Sequence, residues 1–77
     1  MVKIGDYYIN KEDIQGFSDI FKINEKRYLG VVLLEQSFYF DVYLRGGNII
    51  TIASKNYEEV KTEHKKLVSL FKEFHNV

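Results

Sequence analysis

The chain contains no cysteine, no proline and no tryptophan. Without cysteine there is no disulfide framework, no thiol nucleophile and no thiolate zinc site, and the redox compartment is not encoded. Without proline, element boundaries must be read from glycine, capping residues and periodicity. Charge of one sign is also missing: eleven basic and eleven acidic side chains cancel to +0. That argues against a partner held by bulk charge, such as duplex nucleic acid. The longest apolar run, YLGVVLL (Tyr28 to Leu34), is far shorter than the roughly 20 residues a membrane span needs. The N-terminal residues include no apolar h-region or small-residue cleavage site, so a cytoplasmic location is expected.

What is present is aromatic surface and alternation. At 77 residues the expected organisation is one domain, 1–77, near the lower size limit for independent folding. Such a core must be aromatic-rich or shared with a partner, and six Phe with six Tyr supply the area. Residues 2–9 (VKIGDYYI) read as an extended segment with a turn at Gly5-Asp6, and NKED (Asn10 to Asp13) as a polar break that can start a single helical turn. A second strand is expected over 16–23, a turn over 24–27, and a third strand over 28–35. The third is apolar on both faces and is therefore expected to be central. A tight connection then leads to a fourth strand, 38–45, and a fifth carrying Ile50 and Ile52.

The fourth strand divides cleanly. Phe38, Phe40, Val42 and Leu44 make one face; Tyr39, Asp41, Tyr43 and Arg45 make the other. A three-residue loop over 46–48 sets Leu44 against Ile50, Val42 against Ile52 and Tyr43 against Thr51, whereas a two-residue Gly-Gly turn sets Asp41 against Ile52. A one-residue slip exchanges the faces, so the apolar match favours the three-residue loop, closed by Asn48 in a left-handed conformation.

A helix is expected over roughly 56–75, with Asn56 as N-cap and Glu59 as its capping-box partner. Val60, His64, Leu67, Phe71 and Phe74 recur at spacings of four and three and form one apolar stripe, while Lys61, Thr62, Lys65, Ser69 and Lys72 fall on the wet side. This helix is expected to lie across the even face of the sheet.

Motifs for chemistry are sparse. The serines lie at strand ends, in turns and on the wet helix face, without an elbow-type glycine context. His64 reads as a hydrogen-bonded core histidine, with a catalytic or pH-sensing role as the alternative. His75 is eleven residues further on, roughly 16 Å along the axis, so the two imidazoles share no metal ion. RGGN (Arg45 to Asn48) is followed by strand and not by a helix N-terminus, which makes it a hairpin turn and not a phosphate cradle. No catalytic residue, cofactor or metal is expected.

The tyrosine face holds the candidate binding residues Tyr39, Asp41, Tyr43, Arg45 and Thr51. One helix covers one face, so apolar side chains of the third strand are expected beside the tyrosines, unless the N-terminal segment with Phe17 or Phe21 folds over them. Apolar patches rimmed with polar groups mark interaction sites, and tyrosine suits them with a rigid body and a polar tip. The structural alternative is a pair of tyrosines that stabilise the sheet without a partner. Bases could also stack on such a face, but SFYFDVYL lacks the glycine of the RNA-recognition signature and puts a carboxylate between the tyrosines.

The succession YINKEDI, hairpin, then ASKNYEEV entering a helix resembles small flagellar proteins of the FlbD type, relative to which the third strand stands as an insertion. The match runs through strand, turn and cap residues, and no function is carried over from it. The expectation is an α+β fold: an antiparallel sheet of four to five strands with a single C-terminal helix packed on one face. Its expected function is that of a small non-catalytic interaction, regulatory or inhibitor protein that occupies a partner's surface or pairs with a second copy of itself. A single-stranded nucleic-acid-binding module is the alternative. Lys-over-Arg usage suggests an AT-rich genome, compatible with a phage or mobile element acting on a host factor.

Overall fold

Ten consecutive residues, Glu35–Leu44, form the strand on which the rest is assembled. In the computed structural model, which describes residues 1–25, 29–31 and 35–75 (with the side chains of 25, 35 and 73–75 outside that description), the chain runs as follows. Strands β1 (Val2–Ile4) and β2 (Tyr7–Ile9) form a separate hairpin, and a single 3-10 turn, Lys11–Asp13, leads into β3 (Ile14–Phe17). Then come β4 (Phe21–Glu25), β5 (Glu35–Leu44), β6 (Ile49–Ser54) and helix α1 (Tyr57–His75). β3 and β4 pair antiparallel with successive parts of β5 along one edge, and β6 pairs with its other edge. This is the expected α+β fold, an antiparallel sheet with a C-terminal helix.

The central strand is β5, not the expected third strand over 28–35. Phe21↔Tyr39 through Glu25↔Glu35 is an unbroken five-pair ladder, so no strand intervenes and 35–37 is strand rather than turn. Residues 28 and 32–34 lie outside the described residues. Leu29 and Val31 are 94% and 86% exposed in bends, and Val31 has φ 89°, far from strand geometry. The apolar run has strand composition, but composition fixes no partner.

The expected strand 16–23 is divided for a physical reason. Ile14, Phe17 and Ile20 are three residues apart, whereas a strand returns to the same face every second residue. An extra residue in each interval reconciles the two periods. The register with β5 shifts between Ile14 and Gly16, and again between Phe17↔Val42 and Phe21↔Tyr39. Ser18 bridges the second irregularity: its N–H donates to the Asp41 carbonyl (2.9 Å) and its Oγ accepts the Asp41 N–H (2.9 Å).

The β5–β6 hairpin has a three-residue loop, but over 45–47 and not 46–48. Leu44 N–H donates to the Asn48 carbonyl (2.8 Å), and the pairs are Phe40↔Ile52, Val42↔Ile50, Asp41↔Thr51 and Tyr43↔Ile49. The register is thus two residues from the expected one, with the parity of the faces kept. Both left-handed positions fall to glycine (Gly46 φ 85°, Gly47 φ 82°), while Asn48 stays extended at φ −76°. A left-handed L residue costs roughly 1–2 kcal/mol, which favours the loop position that gives both sites to glycine.

Even residues of β5 and β6 face the core. Phe40, Val42 and Ile52 are buried together with Ile4, Ile9, Ile14 and the helix residues Val60 and Leu67. The helix stripe lies as expected across the even face, with Leu70 and Phe71 half-buried at its border and the Phe74 side chain outside the description. The N-terminal hairpin covers the same face beside the helix. Its turn has Gly5 at φ 60°, where an added Cβ would also stand 3.1 Å from Ile52 Cδ1.

The capping box is present with a hydroxyl inserted. Asn56 Oδ1 accepts the Glu58 N–H (3.0 Å); Asn56 N–H donates to Ser54 Oγ (3.1 Å), whose hydroxyl donates to Glu59 Oε2 (2.8 Å). Ser54 therefore carries the bond that Glu59 was expected to make directly.

Leu67 has no exposed surface, whereas Lys65 is on the wet side. Leu67→Ala is expected to cost about 2–5 kcal/mol in denaturant melts. Lys65→Ala should change stability by less than about 0.5 kcal/mol. Equal effects would mean that another helix face meets the sheet.

Candidate functional site

Four of the five expected binding residues stand together on the odd face. Along β5, Tyr39, Asp41 and Tyr43 point away from the helix, each opposite its β6 neighbour: Ala53, Thr51 and Ile49. Thr51 Oγ1 donates to Asp41 Oδ1 (2.7 Å), a cross-strand bond at the centre of the face. Arg45 is not among them. It lies in the hairpin loop, where Nη2 donates to the Glu12 carbonyl (3.3 Å) and Nε is 3.9 Å from Asp13 Oδ1. The alternation ends with the strand at Leu44, so Arg45 ties the loop to the 3-10 turn instead of extending the face.

The apolar neighbours of the tyrosines come from β4, not from a third strand. Phe21 pairs with Tyr39, their ring centroids 5.5 Å apart and tilted by 35°, and Ile23 follows on the same side. Phe21, Ile23, Tyr43 and Ile49 keep 48%, 47%, 39% and 59% of their surface exposed, so no described element covers this face. The N-terminal segment did not fold over it, because Ile4 and Ile9 serve the even-face core. Sequence reasoning missed Ile23 and Ile49 as face residues. Ile23 was readable from its spacing to Phe21, but Ile49 depended on the register.

His64 is half-buried and hydrogen-bonded, as expected. Its Nε2 lies 3.0 Å from the Ser18 carbonyl, an acceptor only, so Nε2 carries the proton and donates. Phe17 and Phe40 meet the imidazole edge-on at 5.1 Å each. Ring and proton are thereby committed to the junction of helix and sheet. His75 is outside the described side chains. Among the described residues no group of three His, Asp or Glu could hold a metal ion, and no helix is long and apolar enough to cross a membrane.

An acidic cleft of about 380 Å³ lies where the Gly5–Asp6 turn meets β6 and α1, lined by Ser54, Glu59 and Glu63 among others. Ser54, Glu59 and Glu63 in it have structural partners. Ser54 and Glu59 cap the helix, and Glu63 Oε2 accepts the Gly5 N–H (3.0 Å) while pairing with Lys66 (2.9 Å). Burial raises the Glu63 carboxyl, but the bonds from Lys66 and Gly5 and the charges of Lys66 and Lys3 outweigh it, holding the group below the ordinary carboxylate value.

No family model, no curated protein and no solved structure matches the chain. The functional reading therefore rests on the face itself.

The Glu63 clamp predicts an acid dependence. A carboxyl depressed on folding contributes stability that is present above its unfolded value, 4.5, and lost as pH falls through the lower folded value. Glu63→Gln is expected to lower the melting temperature at neutral pH, with the two proteins converging in acid. Thermal melts across this range check it; curves that stay parallel would remove Glu63 as the source.

Proposed function

We propose that this chain is a small non-catalytic interaction protein that binds another protein through the odd face of its sheet, in a regulatory or inhibitory role. The observation that carries the reading is the apolar strip of exposed Phe21, Ile23, Tyr43 and Ile49 with half-buried Tyr39, surrounding the hydrogen-bonded Asp41–Thr51 pair. Strips of this kind, rimmed with polar groups, are what protein interfaces use. Two aromatics in tilted contact at one end and Tyr43 with Ile49 at the other offer rigid anchors. The odd positions of β4, β5 and β6 include no lysine or arginine, which disfavours a groove that tracks phosphates.

Tyr43→Ala tests the reading, with Tyr8→Ala as a control because Tyr8 is 67% exposed on the separate hairpin. The wild-type chain would be panned against displayed random peptides and examined by light scattering from low to high concentration. Tyr43→Ala is expected to weaken the selected peptides, or self-association, by about 2 kcal/mol or more. That loss should persist at high salt, and Tyr8→Ala should change nothing. Equal binding by wild type and Tyr43→Ala would overturn the reading. So would oligonucleotide affinity that falls steeply with salt and loses about 1–3 kcal/mol in Tyr43→Ala, the behaviour of a base-stacking face.

A further inference from the structure

We propose that the odd face recognises a basic side chain, arginine or lysine, carried in an extended apolar segment of the partner and seated on Asp41 between Tyr39 and Tyr43. This rests on the protein-binding reading above and specifies the chemistry of the occupant.

The argument is one of charge complementarity. Asp41 occupies the middle of the strip, flanked along β5 by a tyrosine on each side, with β6 Thr51 opposite. Same-face neighbours on a strand are about 7 Å apart, so each ring stands near a group bound at the carboxylate. Thr51 supplies one hydrogen bond to Oδ1, and among the described residues no cation pairs with Asp41. Lys22 sits at an even position of β4, and Arg45 is engaged at Glu12 and Asp13. A partner that covers the strip with apolar groups alone would strip water from this carboxylate and give nothing in return. An identical copy laid face to face would bring a second carboxylate to the same apolar centre. A guanidinium or ammonium group removes both penalties. It pairs with the carboxylate and lies within reach of two aromatic rings, the arrangement that favours cations over neutral groups. The apolar ends of the strip, Phe21 with Ile23 and Tyr43 with Ile49, then call for apolar residues on either side of the cation. An extended segment with alternating residues has the matching repeat.

The test uses the full chain, labelled with nitrogen-15, and three peptides: acetyl-Leu-Thr-Arg-Thr-Leu-amide and the same sequence with Gln or Glu at the centre. The arginine peptide is expected to shift the amides of Tyr39, Asp41, Tyr43 and Thr51 and to bind about tenfold more tightly than the glutamine peptide. The glutamate peptide should bind most weakly. Asp41→Asn keeps an acceptor for Thr51, and its own spectrum reports that the fold is intact. In that variant the arginine and glutamine peptides should bind equally. Equal affinity of the two for the wild-type chain, with shifts on the face, would overturn this inference and leave the interface standing. Shifts confined to the acidic cleft at Asp6, Glu59 and Glu63 would overturn it as well. No shift from any peptide at millimolar concentration would count against both this inference and the protein-binding reading.

Discussion

The alternation of β5 is the constraint on which the rest of the structure depends. Its even residues make the floor of the core, its odd residues make the open face, and both of its edges carry partner strands. Phe40 and Val42 are fully buried, so a one-residue slip would exchange them for Tyr39, Asp41 and Tyr43 against the helix. Such a slip would place the Asp41 carboxylate in the core without a charged partner, a cost of several kcal/mol. The same penalty holds the tyrosines outside.

The edge formed by β3 and β4 shows how a sequence with a different period is fitted to that floor. The bulges that bring Ile14, Phe17 and Ile20 inward break the regular ladder between Ile14 and Gly16 and again around Ser18, where Ser18 bonds both backbone groups of Asp41. Ser18 takes the Asp41 N–H on its hydroxyl and offers its own carbonyl to His64, so one residue joins the irregular edge to both the central strand and the helix. No buried side-chain polar atom among the described residues lacks a partner. The histidine interrupting an apolar stripe is thus explained by the carbonyl it meets.

The legibility of the fold follows the range of the interactions involved. The helix, its Asn56 cap and its core stripe are set by contacts within a turn or two, and they were readable. The two faces of β5 were readable for the same reason, and with them Tyr39, Asp41, Tyr43 and Thr51. Pairing is a long-range property. YLGVVLL reads as a buried strand by composition, yet β4 closes directly onto β5 and leaves Leu29 and Val31 exposed. The hairpin register moved by two residues because the observed loop gives both left-handed positions to Gly46 and Gly47, while Phe40–Ile52 and Val42–Ile50 keep an apolar match on the same face. Arg45 was misplaced because alternation was carried past the last residue of the strand, and Ile49 was missed with the register.

The open face follows from where the described elements besides the sheet are committed. Besides the sheet, the described chain has a helix and a two-stranded hairpin, and both are committed to the even side by Val60, Leu67, Ile4 and Ile9. A hairpin of two strands is marginal alone, so its apolar residues must join the main core, and the Glu63 bond to its turn fixes it beside the helix. That leaves Phe21, Ile23 and Ile49 without cover, although a polar residue at any of these positions would keep the strand pairing and improve solubility. Asp41 sharpens the point. Its bond to Thr51 could be made equally by a pair of neutral residues if sheet stability were all it served. A carboxylate set beside aromatics, with no cation paired to it among the described residues, is the feature on which the proposed recognition of a basic side chain rests.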